Sequence, residues 1–189
     1  MRATWRMGAA LLLAACGGAN AGQSDPQACA PVEAADSAVA ATGLGGEYTL
    51  RLIATSGAKR GAAAQGRLAL MSQDSARRRL ELPGGAHDTT YRFPLYGTAE
   101  VDFDSVGAVV PGDAASPDPL RPGVLVIESP GRVMLRVGSE ANQWGLRRFD
   151  GGYTALQVRR VTDQGFAGTW QSGVGLEQSG GHFCAFKAT

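Results

Sequence analysis

Hydrophobic and polar residues alternate along most of the chain beyond residue 45. In residues 47–52 the even positions are apolar and the odd positions are polar, which predicts a strand with one buried face. A turn-like segment, residues 56–61, separates this strand from a second alternating run over residues 66–70, so the two form a predicted hairpin. Residues 79–82 alternate again before the breaker Pro83-Gly84-Gly85.

The longest alternating run covers residues 91–103. Within it, Pro94 and Gly97 predict a bend, an edge position or a bulge. Its apolar face carries six side chains, namely Tyr91, Phe93, Leu95, Ala99, Val101 and Phe103.

Five more strands follow, over residues 124–127, 133–137, 153–161, 166–172 and 182–187. Pro130 and Gly131 suit the two central positions of a type II turn between the first two of these strands. Asp163-Gln164-Gly165 predicts a tight hairpin with the glycine in a left-handed conformation. Near the start of the domain, residues 31–41 are typical of a short helix, with Pro31 in its first turn and Gly43 after its end.

The first 16 residues have a different pattern. Arg2 and Arg6 precede a short apolar run, residues 9–15, which is far shorter than the roughly 20 residues of a membrane-spanning helix. The run ends in Leu13-Ala14-Ala15-Cys16. This segment resembles the lipobox of bacterial lipoproteins, in which the cysteine is lipidated and becomes the new N-terminus.

The lipobox resemblance implies a signal peptide over residues 1–15 and a lipidated tether over residues 16–30, which is rich in Gly, Ser and Asn. Residues 31–189 then form a single domain. Gly17 is not the aspartate that retains such proteins at the inner membrane, so the resemblance implies an outer-membrane lipoprotein facing the periplasm or the exterior. An ordinary secretory signal cleaved after Ala19-Asn20-Ala21 is the alternative.

With Cys16 assigned to lipid, Cys29 and Cys184 are left as one potential pair, 155 residues apart. We expect a disulfide in an oxidising compartment, with two unpaired thiols as the alternative. About eight short strands without a helical pattern between them predict an all-β antiparallel fold. A bond between the last strand and a residue just before the first favours an up-and-down barrel over a sandwich, which stays as the alternative.

Charge excludes one class of partner. The chain has 18 Lys and Arg residues against 17 Asp and Glu residues. Two of the basic residues lie in the leader, so the remainder carries a net charge of −1 and lacks the basic excess of a nucleic-acid-binding domain.

Two short strings resemble the lipocalin and avidin barrels, namely Gly46-Glu47-Tyr48 on the first strand and Gly168-Thr169-Trp170 on a late one. Lipocalins carry a Gly-x-Trp on their first strand, whereas the Gly-x-Trp string of this chain, Gly168-Thr169-Trp170, lies near the C-terminus. The resemblance implies a small or lipophilic ligand inside the barrel, and a packed core is the alternative. The side chains expected in the interior are Tyr48, Leu50, Tyr91, Phe93, Phe103 and Trp170.

Two loops are candidates for contact with another protein. Residues 56–61 contain Ser56 and Lys59 in the string Ser-Gly-Ala-Lys, which resembles part of a motif in lysozyme-inhibitor lipoproteins, themselves small β-barrels. Arg60 stands where that family has an aromatic residue. The second loop, residues 139–152, carries Trp144, Arg147 and Arg148.

No catalytic or cofactor motif is found. His87 and His182 have no metal-ligand spacing, and Glu100, Asp102 and Asp104 fit a solvated strand face rather than a calcium site. We therefore expect a lipid-anchored, non-catalytic protein that needs no cofactor and binds a ligand in its barrel. A protein–protein module, either an inhibitor of a lytic enzyme or an envelope-assembly factor, is the alternative.

Overall fold

A computed structural model describes residues 29–32, 34, 39–72, 80–81, 87–88, 92–110, 123–138, 152–174 and 176–188. Within these ranges the chain forms ten strands and one short 3₁₀ turn, Asp104–Val106. The strands are β1 Gly46–Ser56, β2 Ala63–Ser72, β3 Leu80–Glu81, β4 His87–Asp88, β5 Arg92–Glu100, β6 Gly123–Ser129, β7 Arg132–Val137, β8 Gly152–Thr162, β9 Gly165–Val174 and β10 Glu177–Lys187.

Eight of the strands close into an antiparallel barrel in the order β1-β10-β9-β8-β7-β6-β5-β2, while β3 and β4 form a separate two-stranded sheet. The barrel closes where β1 pairs with β10, from Tyr48 opposite Lys187 to Ser56 opposite Gly180. This confirms the up-and-down barrel and excludes the sandwich. Of the eleven positions of the helix predicted over residues 31–41, five lie outside the described residues, and the other six, 31–32, 34 and 39–41, are not helical.

We call the end of the barrel where β1 begins and β10 ends the proximal end, and the opposite end the distal end. The antiparallel order places the β6–β7 and β8–β9 turns at the proximal end. It places the β1–β2 loop and the β9–β10 turn at the distal end. Gly131 has a φ of 70° and Gly165 a φ of 146°, so both predicted turn glycines adopt the positive φ that their turns require.

Apolar residues alternate with polar ones because successive side chains of each strand point alternately into the barrel and toward its outer surface. Along β1, Tyr48, Leu50 and Leu52 are buried, while the residues between them are half-buried. The same rule holds around the barrel, so that one apolar cluster fills the interior. Its largest fully buried side chains include Trp170, Tyr48, Phe183, Leu135 and Leu156.

The predicted irregularity in the long run after residue 91 is present in β5. The register between β5 and β6 shifts between Arg92 and Leu95, which places an irregularity at Phe93-Pro94. Gly97 lies on the inner face opposite Leu70. A Cβ atom at this glycine would overlap the carbonyl oxygen of Ala69, so only glycine allows the two strands to approach this closely.

Segments of the chain cover both ends of the barrel. At the proximal end, Val39, Ala41 and Leu44 join the core cluster just before β1 begins. At the distal end, Val106 and Ala108 join it from the segment that follows β5. These buried residues lie outside the strands, so the strand pattern did not predict them.

The N-terminal segment lies against the outer surface of β10. Cys29 and Cys184 form a disulfide with a Cα–Cα distance of 5.5 Å, which confirms the predicted pair. Next to it, Nε2 of His182 lies 3.3 Å from the carbonyl oxygen of Cys29. Because β10 is hydrogen-bonded to β1, the disulfide holds the chain preceding the barrel on the wall where the barrel closes.

Candidate functional site

Five of the six side chains predicted for the barrel interior belong to the buried core. Tyr48, Leu50 and Trp170 each expose 1% of their surface, Phe103 exposes 3% and Phe93 exposes 6%. At such low exposure almost no water-sized space adjoins these side chains. Tyr91, the sixth, lies outside the described residues.

Aromatic rings pack edge to face within the barrel. The rings of Tyr48 and Phe166 have centroids 5.0 Å apart with planes at 71°. Phe166 and Phe183 continue the cluster, with centroids 6.0 Å apart. Contacts of this kind are typical of a tightly packed protein core.

The polar atoms of the interior aromatic residues are bonded to the protein's own backbone. The indole N–H of Trp170 donates to the carbonyl of Ile53 over 3.2 Å. The hydroxyl of Tyr48 donates to the carbonyl of Leu44 over 3.1 Å, and burial raises the pKa of Tyr48 above its ordinary value. Both donor groups are therefore used within the protein.

Buried hydroxyl groups hold the segment that covers the distal end. The Val109 N–H donates to Oγ of Ser172 over 2.7 Å, and the hydroxyl of Thr154 donates to the Val109 carbonyl. The two hydroxyl oxygens lie 2.7 Å apart, and both residues expose 1% or less. Because buried polar groups without partners are costly, this network favours the closed arrangement.

The β1–β2 loop at the distal end is exposed and conformationally constrained. Residues 57–61 are all exposed. Backbone hydrogen bonds run from Gly61 to Ala54 over 2.8 Å and from Ala62 to Lys59 over 3.0 Å. Gly57 and Gly61 have φ angles of 82° and 90°, which other residues rarely adopt. The loop therefore presents Lys59 and Arg60 from a defined backbone.

Two other parts of the barrel support this loop. A Cβ atom built at Gly107 would lie 3.2 Å from Cγ of Lys59 and 3.2 Å from the hydroxyl oxygen of Ser179. A Cβ at Gly57 would overlap the side chain of Ser179. The loop thus packs on the 3₁₀ turn after β5 and on β10, and the stem of Lys59 is held against Gly107.

The geometry gives Ser56 a structural role. Its hydroxyl donates to the carbonyl of Gly180 over 3.3 Å, and the hydroxyl of Thr55 lies 3.4 Å from the same oxygen. Lys59 packs instead on Gly107. Ser56 joins β1 to β10, and the charged groups that this loop presents are those of Lys59 and Arg60.

The structure adds residues that sequence reasoning missed. Gly107 and Ser179 are distant in sequence from the loop that they support, so no local pattern links them to it. Leu176, in the β9–β10 turn at the same end, is fully exposed at 102%. An apolar residue in a turn, directly before Glu177, is the local signal that could have identified it.

The other loop candidate, Trp144 with Arg147 and Arg148, lies outside the described residues, as does Cys16. Among the residues that the structure covers, no group of three or more His, Cys, Asp or Glu side chains could hold a metal ion. The same part of the chain contains no helix long and apolar enough to cross a membrane.

Comparison of the chain with protein-family models, curated proteins and solved structures finds no match. The candidate site therefore depends on geometry alone.

Proposed function

We propose that this protein is a lipid-anchored, non-catalytic binding module of the cell envelope that inhibits a cell-wall lytic enzyme through its β1–β2 loop. The observation that carries this proposal is the constrained loop, which projects Lys59 and Arg60 from a rigid barrel. Loops on rigid scaffolds are frequent binding elements, and a loop already in its bound conformation loses little entropy on binding.

Lytic glycosidases supply the complementary chemistry. Their clefts generally contain a pair of carboxylates, which two adjacent basic side chains can approach. Asp102, Asp104 and Glu177 are exposed at the same end of the barrel. The partner that fits best therefore has carboxylates at its centre and positive charge around them.

The Ser-Gly-Ala-Lys string gives this proposal additional support, since it resembles part of the motif of lysozyme-inhibitor lipoproteins. The envelope location comes from the lipobox resemblance around Cys16, and both stay proposals. The first expectation from the sequence, a ligand inside the barrel, also stays a prediction, but the packed side chains around Trp170 and Tyr48 do not favour it.

Inhibition of lysozyme provides the test. The purified protein is added to lysozyme acting on a peptidoglycan suspension, and clearing of the suspension is followed by turbidity. We expect inhibition by the native chain and at least about 30-fold weaker inhibition by Lys59→Ala, because losing one partner of a buried charge pair costs about 2–5 kcal/mol.

The chain offers a matched control, because Lys59 and Lys187 are its only lysines and lie at opposite ends of the barrel. Lys187→Ala should inhibit as well as the native chain. If a native chain with the circular dichroism of a β-protein does not inhibit, the inhibitor proposal is refuted. If both lysine variants weaken inhibition equally, the assignment to the β1–β2 loop is refuted.

A further inference from the structure

Basic side chains surround the proximal end of the barrel. Arg92 and Arg132 are the first residues of β5 and β7, Arg160 lies near the end of β8, and Lys187 is the last residue of β10. All four are exposed. Because they come from four different strands, they are distributed around the rim of the barrel.

Acidic residues at the same end offset only part of this charge. Asp163 is exposed in the β8–β9 turn. Glu128 is half-buried, accepts a hydrogen bond from the Ala41 N–H over 3.0 Å and lies opposite Arg92. The carboxylate of Glu47 is paired with Arg67. Among the described residues of the eight barrel strands and the turns that join them, the proximal end therefore keeps a positive excess.

Exposed apolar side chains accompany the basic rim. Met71 near the end of β2 exposes 50% of its surface, and Val161 near the end of β8 exposes 38%. These are two of the three large hydrophobic side chains that are exposed within the described part of the chain. Basic groups together with exposed apolar groups are typical of surfaces that contact anionic lipid.

We infer that the proximal end of the barrel rests on an anionic lipid surface, with Arg92, Arg132, Arg160 and Lys187 against the headgroups. The barrel then stands on the membrane with the β1–β2 loop directed away from it. This inference goes beyond the proposed function, because it assigns a second surface and a second kind of partner. It depends on the envelope location but not on a lytic enzyme.

The two lysines provide a test within one molecule. The full chain is bound to vesicles of phosphatidylcholine alone or with added phosphatidylglycerol and is treated with a water-soluble amine-acylating reagent. Mass spectrometry then gives the labelling rates of Lys59 and Lys187. On vesicles with phosphatidylglycerol we expect Lys187 to react roughly tenfold more slowly than in the absence of vesicles, while Lys59 is unchanged. On phosphatidylcholine alone neither lysine should be protected.

Two perturbations test the electrostatic cause. Charge reversal by Arg92→Glu, Arg132→Glu and Arg160→Glu together should restore labelling of Lys187. Raising the salt concentration to about 1 M shortens the screening length to about 3 Å and should do the same without any substitution, so the test does not depend on the folding of the variant.

Three results would overturn the inference. These are equal labelling of both lysines on anionic vesicles, equal protection of Lys187 on neutral vesicles, and protection of Lys187 that survives high salt. The inhibition assay is performed without vesicles, so failure of the proposed function and failure of this inference are separate outcomes.

Discussion

Replacing Trp170 by alanine tests whether the interior of this barrel is a packed core. Trp170 lies on the inner face of β9 and exposes 1% of its surface. Its neighbour on β10 is Gly181, which has no side chain. The indole therefore reaches beyond β10 and donates a hydrogen bond to the carbonyl of Ile53 on β1.

The expected loss has two parts. Truncating a buried tryptophan to alanine costs about 3–5 kcal/mol in a core that cannot collapse around the cavity. Trp170→Phe keeps most of the ring volume but removes the hydrogen bond to Ile53, so it should cost about 1–2 kcal/mol. Since a domain of this size is typically stable by about 5–15 kcal/mol, the alanine variant should lose a large share of its stability.

Urea unfolding followed by far-ultraviolet circular dichroism measures both variants without relying on tryptophan fluorescence. Thr169→Ala is the matched control, because Thr169 is the adjacent residue on β9 and is half-buried on the outer surface. We expect this control to change stability by at most about 1 kcal/mol. If Trp170→Ala costs no more than Thr169→Ala, the interior is not a packed core, and a ligand site inside the barrel becomes the better interpretation.

Three further predictions concern the stability of the barrel. Gly181→Ala should lower stability by at least about 1–3 kcal/mol in the same assay, because the added Cβ would overlap the Ile53 carbonyl oxygen. Reducing the Cys29–Cys184 disulfide should cost about 2–5 kcal/mol, measured by urea unfolding with and without a thiol reductant; an unchanged midpoint would contradict this. Burial raises the pKa of Tyr48 above 10.0, so the folded chain keeps the phenol proton at a pH where the unfolded chain loses it, and stability falls as the pH rises above 10.0. Tyr48→Phe should have a flatter decline in melting temperature there, and an equal decline in both proteins would exclude this cause.

Sequence reasoning predicted the strands because alternation reports directly on which face is buried. It placed β1, β7 and β8 to within a few residues of their observed bounds. It began β10 at His182, whereas the strand starts at Glu177. None of the first five residues of β10, residues 177–181, has an apolar side chain that would mark a strand. Gly181 faces inward, and a side chain at this position would meet the β1 backbone.

Other features left no local signal. Leu44 and Val106 are buried by covering the ends of the barrel, and neither belongs to an alternating run. Whether Tyr48 and Trp170 line an open or a filled interior depends on the volume enclosed by eight strands, which no single strand reveals. The support of Lys59 by Gly107 joins residues that only the closed barrel brings together.

The pairing of β1 with β10 also affects the order of events during folding. The two strands come from opposite ends of the domain, yet each is the other's neighbour along most of its length. Hairpins such as β8–β9 can form early from local contacts. The edge of β1 that pairs with β10 has no partner until the last strand has been made. Contacts between such distant segments form slowly. The barrel of this chain therefore closes only once its last strand is available to pair with β1, whatever the order in which the strands between them pair.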